Sequence, residues 1–261
     1  MDKTTIPGIA LSIGMILLGQ KLEGGHAGSL LQLTAFMIVV GGTIGAVLVS
    51  YPLSEIITGV KDFKVALQEK PNDVVALMAQ LVDLATVARR DGVLALESKL
   101  TEIKDPFLKR SLGFLVDGVE ASVARNTLET EIEVEAEEGN VSAKIWGDFG
   151  ALCPTVGVLG AVLGLIHVME NLDNPSALGP GIAVAFVATV YGVGVANLIA
   201  LPVANKIKRK VHLQKERKIL IAEGVLSIQE GLNPRILEEK LKSFAGAHGK
   251  HAKSTTGGDK H

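Results

Sequence analysis

The chain has 261 residues, of which 48% are hydrophobic and 21% charged, with a formal net charge of −2. A uniformly soluble domain is rarely so apolar and a protein confined to the bilayer rarely so charged, so the charges must be segregated from the apolar segments. The near-neutral balance excludes an overall nucleic-acid-binding role, and the single cysteine, Cys153, excludes an intrachain disulfide framework.

In chain order, residues 4–22 and 29–51 form two apolar stretches. Each meets the length of about 20 residues needed to cross the hydrocarbon core. EGGHAG joins them, which is short enough for a helical hairpin. The first stretch has no signal-type cleavage context and is followed at once by a second span, so it reads as a permanent membrane helix.

Residues 53–147 are charged and patterned as helices. NDVVALMAQLVDLATVARRDG places Val75, Met78, Leu81 or Val82, and Leu84 at helical spacing, then ends in Arg89, Arg90 and Gly92, a helix stop. VLALESKL predicts a short helix closed by Asp105 and Pro106, and PFLKRSLGFLVDG and VEASVARNTLETEIEVEAEEGN predict further helices. Glu129, Glu131, Glu133, Glu135, Glu137 and Glu138 are expected to form a solvated face.

A third apolar stretch, 149–169, carries Gly150, Pro154, Gly157, Ala161 and Gly164 along one helical face, and Leu152, Leu159, Leu163 and Ile166 off it. Small residues let another helix approach closely in lipid, where association depends on packing contact. Pro154 removes a backbone hydrogen bond, which serves either a packing bend or a hinge or hydrated gap in a moving part. ENLDNPSAL leads to a fourth stretch, 179–204, with a second small seam of Gly181, Ala185, Thr189, Gly192 and Ala196. The Thr189 hydroxyl either bonds back to its own helix or lines an ion route, and Asn197 and Pro202 lie toward the same end.

All Lys and Arg residues except Lys3 and Lys21 fall in the two long segments, and the two hairpin loops contain none. KIKRK, residues 206–210, follows the fourth span directly. The positive-inside rule therefore places the long segments and both termini in the cytoplasm, with Lys21 as the exception. After KIKRK two amphipathic helices are expected, separated near Gly231 and Leu232, with Asn233 as cap and Pro234 in the first turn. HGKHAKSTTGGDKH reads as a disordered tail, and His248, His251 and His261 have no scaffold on which to hold a metal, so no metal site is assigned.

The fold class is thus an all-α polytopic membrane protein: four transmembrane helices in two hairpins with a helical cytoplasmic domain. None of the four apolar stretches contains Asp or Glu. Ion translocation normally needs an ionisable group inside the membrane, so the chain alone is incomplete ion machinery, and a partner helix would have to supply the carboxylate. An independent transporter or channel would have only hydroxyls, Asn197 and His167 to use. No nucleophile, metal cluster or phosphate loop points to an enzyme or to a cofactor.

PTVGVLGAVLGLIHVMENLDNP and GIAVAFVATVYGVGVANLIALPVANKIK resemble the third and fourth spans of the flagellar stator A-subunits, the MotA/PomA family. The resemblance extends to AFMIVVGGTIGAVLVSYP, ARRDGVLALE and EGLNPRILEEKLKSF, and so covers nearly the whole chain. It implies a homopentamer around a dimer of MotB/PomB-type B-subunits in the bacterial inner membrane. Each B-subunit helix carries the ion-binding aspartate, and ion passage turns the flagellar rotor. By position, the resemblance assigns Pro154, Thr155, Ala161, Thr189 and Pro202 to the ion path and its gating. It assigns Arg89 and Glu97, helped by Arg90, to contact with the charged ring of the rotor switch protein; without it, the two arginines read as a helix C-terminal charge pair.

On this basis the domains are 1–52, the first two spans; 53–147, a cytoplasmic helical rotor-facing domain; 148–204, the two spans lining the B-subunit and ion path; 205–247, cytoplasmic helices; and 248–261, the tail. Sodium-type relatives tend to carry threonine where this chain has Ala161, which favours protons as the translocated ion, although Thr155 lies close enough to support sodium. The related ExbB/TolQ group is the rival. It generally has three spans and a different first half, whereas this chain has paired hairpins and ARRDGVLALE.

Overall fold

The computed structural model describes residues 4–67, 73–173 and 175–254, and among these no strand occurs. The chain divides into two compact units, Met1–Glu69 with Glu138–Lys210, and Lys70–Glu137 with Val211–His261.

The first unit holds the apolar helices α1 (Thr5–Leu22) and α2 (Leu33–Ser50), followed by the amphipathic α3 (Leu53–Leu67). The third and fourth spans are parts of longer helices. One is α7, which runs from Ala121 to Glu170 with Pro154 inside it. The other is α8 (Pro175–Val195), which passes through a wide π-helical turn, Ala196–Ala200, into α9 (Leu201–Gln229). That turn lies just before Pro202, whose missing N–H leaves the Leu198 carbonyl without an α-helical donor. A second π turn, Met37–Gly41, interrupts α2. Among the described residues, four helices are long and apolar enough to cross a membrane.

Spans two, three and four share a core in which Ala35, Val39, Cys153, Ala188 and Ala196 are wholly buried. α1 buries no residue, and Leu11, Met15 and Leu18 face outward, as suits a helix whose solvent is lipid. Residues 53–69 and 138–147 also belong to this unit. The Tyr51 hydroxyl donates to the Asp148 carboxylate, the Trp146 indole N–H donates to the Gly59 carbonyl at 2.9 Å, and the Ser142 hydroxyl donates to Asp62 at 2.6 Å. The packing faces continue past the ends of the apolar stretches, so compactness does not follow the hydropathy boundaries at residues 53 and 147.

The second unit is built from α4 (Val74–Asp91), α5 (Leu96–Lys99), α6 (Pro106–Val116), the early turns of α7, the late turns of α9, and α10 (Pro234–Ser254). Its core includes Leu81, Leu108, Leu112, Leu128, Ile221 and Leu237. The helix ends are set locally. Asp73 accepts from the Ala76 N–H, Asp105 from those of Phe107 and Leu108, and Asn233 from that of Arg235. Gly92 and Gly231 take φ values of 87° and 72° to end α4 and α9.

The acidic run is helical, as expected, but it is not simply solvated. Glu131 pairs with Arg110 at 3.0 Å, Glu133 with Lys215 at 2.5 Å, and Glu135 with Lys218. α10 continues through Ser254, the first residues of the segment read as a tail, and 255–261, including His261, lie outside the described residues.

Candidate functional site

The small-residue faces of the third and fourth spans turn toward each other. Gly157, Gly160 and Gly164 are buried, as are Gly181, Ala185, Ala188 and Gly192. A methyl group on Gly157 would lie 3.0 Å from the Ala188 carbonyl oxygen and 3.1 Å from the Gly192 Cα, and one on Gly164 would lie 2.9 Å from the Ala185 backbone nitrogen. Gly150 is occupied similarly, by the Leu201 side chain. The close approach expected of these seams is therefore made within one chain, each seam receiving the other. The short connection between Glu170 and Pro175 gives the tethered helix the highest effective concentration, so it takes the close-approach face first.

The residues singled out for the ion path lie on and beside this seam. Pro154 and Ala161 are half-buried on α7, and Thr155 is exposed next to them. The Pro154 ring leaves the Gly150 carbonyl without its helical donor, yet α7 continues through it. The Thr155 hydroxyl donates to the Leu152 carbonyl at 2.6 Å. Thr189, half-buried on α8, reaches the Ala185 carbonyl only at 3.4 Å, the outer edge of a hydrogen bond. Pro202 is exposed just beyond the π turn. Thr155, Val158, Leu159 and Val162 leave one face of α7 uncovered, and Val190, Val193 and Asn197 do the same on α8 and its π turn.

Two polar anchors escaped the sequence reading. The Tyr191 hydroxyl donates to the Leu30 carbonyl and accepts from the Gln32 N–H at 3.2 Å, which fixes the fourth span to the entrance of the second. Thr43 is wholly buried, donates to the Val39 carbonyl at 2.6 Å and lies against the Cys153 thiol. A lone tyrosine in an apolar stretch was the available signal for the first, because a buried phenol needs a partner. A threonine that bonds its own helix gives none.

The second unit carries the charged candidates on an elbow. α4 ends at Asp91, Gly92 turns the chain, a short 3-10 turn (Val93–Ala95) follows, and α5 begins at Leu96, whose side chain is wholly buried. Arg89 and Glu97 are exposed, and neither makes an ion pair among the described residues. Arg90 differs. Its guanidinium holds Asp91 at 2.7 Å, and that hydrogen bond keeps the Asp91 carboxyl below its ordinary range.

Two family models match this chain: Motility protein A N-terminal over residues 6–92, and the MotA/TolQ/ExbB proton channel family over residues 99–218. Motility protein A of Bacillus subtilis (strain 168) is 37% identical over 245 residues, covering 94% of this chain and 91% of that protein. The structure of C. jejuni MotAB superposes with a TM-score of 0.88 at 37% identity, covering 94% of this chain and 96% of the other. The flagellar MotAB stator complex from Bacillus subtilis gives 0.86 at 36% identity, covering 96% and 100%.

Proposed function

Given that the chain belongs to the MotA family of flagellar motility proteins, we propose that it acts with a MotB-type partner to convert ion flow across the bacterial inner membrane into rotation of the flagellar rotor. The observation that carries this is the pairing of the third and fourth spans into one slab that contains no carboxylate but leaves Thr155 on an open face. Such a slab can flank an acidic helix but cannot replace one.

In this arrangement five-fold copies of the chain surround a dimer of B-type helices, both termini lie in the cytoplasm, and the spans are bounded by lipid. The B-helix carboxylate passes the exposed α7 face. There Thr155 supplies a hydroxyl and Ala161 the small surface that lets the helices approach, while Pro154, which leaves the Gly150 carbonyl without its α-helical donor, gives the helix its point of adjustment. Thr189 and Pro202 adjust the neighbouring span, whose long Thr189 contact and adjacent π turn mark it as the more adaptable of the two. Ala161 supports protons as the translocated ion, since a proton needs no cage of dehydrated oxygens; no further cofactor and no enzymatic step is required. Arg89 and Glu97, with Arg90 as helper, contact the charged rotor ring, where exposed pairs break and reform easily.

Coexpression with a B-type partner tests the assembly. The purified complex should have the mass of a homopentamer with a partner dimer, and recovery of the chain alone from well-folded membranes would overturn the proposal.

A further inference from the structure

The cations of the second unit are mostly occupied. Arg110, Arg125, Lys215, Arg217, Lys218 and Lys240 each meet a carboxylate. The first unit behaves differently. Lys206 turns inward to the hydroxyls of Thr4 and Thr5, and Lys210 donates to the Ala66 carbonyl at 3.0 Å. Lys61 and Lys64 of α3, Lys144 of α7, and Lys208 and Arg209 of α9 are exposed and make no ion pair among the described residues. Two acids of this unit are already engaged, Asp62 by Ser142 and Asp148 by Tyr51.

These five cations lie within about 10 Å of the ends of the apolar stretches. At 1.5 Å per residue, Lys144 lies about 7 Å before the apolar stretch that starts at 149, and Lys208 and Arg209 lie about 6–7 Å beyond the one that ends at 204. Lys61 and Lys64 flank Asp62, which is held at the level of Ser142. A headgroup layer is about 5–8 Å thick on each side of the hydrocarbon. Beside the lysines, α3 presents an apolar stripe at helical spacing, with Leu53 63%, Ile57 46% and Val60 62% exposed, starting two residues after the second span ends. Continuity with a span makes lipid, rather than water, the medium at the head of this stripe.

We propose that Lys61, Lys64, Lys144, Lys208 and Arg209 form a basic collar that selectively binds anionic phospholipid headgroups, with Leu53, Ile57 and Val60 seated in the boundary beside them. The positive-inside rule accounts for the sign of these charges; it does not require them to be left without protein ion-pair partners beside the spans. The collar rests on the membrane placement of the spans and is independent of rotation and of the ion.

The chain carries its own probe, since Trp146, its single tryptophan, packs on Phe63 and Gly59 beside the collar. The full-length protein would be reconstituted into phosphatidylcholine vesicles containing equal fractions of either brominated phosphatidylglycerol or brominated phosphatidylcholine. Brominated phosphatidylglycerol should quench Trp146 several-fold more strongly, with the difference falling as salt is raised. It should vanish when Lys61, Lys64, Lys144, Lys208 and Arg209 are replaced together by Gln, leaving Lys206 and Lys210 to hold the topology. Equal quenching by the two lipids in the unsubstituted protein would overturn the proposal, and that comparison needs no variant to fold. A difference that persists in the Gln variant would overturn it too, as would an Ile57→Cys protein that crosslinks to a second copy and is quenched by neither lipid.

Discussion

Gly157 of the third span and Gly192 of the fourth meet backbone to backbone. A methyl group on Gly192 would lie 2.8 Å from the Cys153 carbonyl oxygen and 3.0 Å from the Gly157 Cα. Gly192→Ala must therefore push the two spans apart, at about 1–3 kcal/mol for forced overpacking. Thermal unfolding in detergent should show a lowered midpoint. Gly194→Ala, which meets nothing within 4 Å, should leave it unchanged.

A change at Pro154 separates motion from packing. Pro154→Ala restores the N–H that the Gly150 carbonyl lacks and keeps the backbone atom that faces Gly192. Swimming torque should fall several-fold while the complex with the B-type partner is recovered in normal yield. Loss of the assembled complex instead would return Pro154 to a packing role.

On the elbow of the second unit, Arg89 and Arg90 are not equivalent. Arg90 is already engaged by Asp91, whereas Arg89 and Glu97 are uncommitted. Arg89→Glu and Glu97→Lys should each reduce swimming speed several-fold, and Arg90→Glu should do so less. The order is checked by tracking cells with equal levels of each variant, and a larger defect for Arg90→Glu would reverse the assignment.

Glu223 makes the second unit sensitive to acid. Burial works against its charged form, but hydrogen bonds from Arg125 and Lys240 prevail and hold its carboxyl below the ordinary range. A depressed folded value contributes stability that is full above the unfolded carboxyl value, about 4.3, and is lost as pH falls through the folded one. Denaturant midpoints measured down through that window should fall for the unsubstituted chain. Glu223→Gln should be less stable at neutral pH and show a flatter profile.

Much of this was legible because it is local. Asp73, Asp105 and Asn233 cap the helices that follow them, and Gly92 and Gly231 end those that precede them, through contacts a few residues long. The four spans followed from hydropathy in the same way. The small seams were legible as surfaces of close approach, but spacing along Gly157 and Gly164 does not say which helix approaches, and the tethered neighbour had the advantage. The length of α7 was hidden because Pro154 and the change from charged to apolar residues both look like boundaries, whereas a membrane helix can run straight through them. The π turns at Met37–Gly41 and Ala196–Ala200 had no sequence signature beyond Pro202.

Motility of a stator-deleted bacterium expressing this chain with its B-type partner is the most direct test of the central claim. Sodium and the proton gradient would be varied separately. Swimming that ignores sodium and stops when the proton gradient collapses is the predicted result, with Ala161 as its basis. Complexes that assemble normally yet give no swimming under either gradient would contradict the conversion of ion flow into rotation.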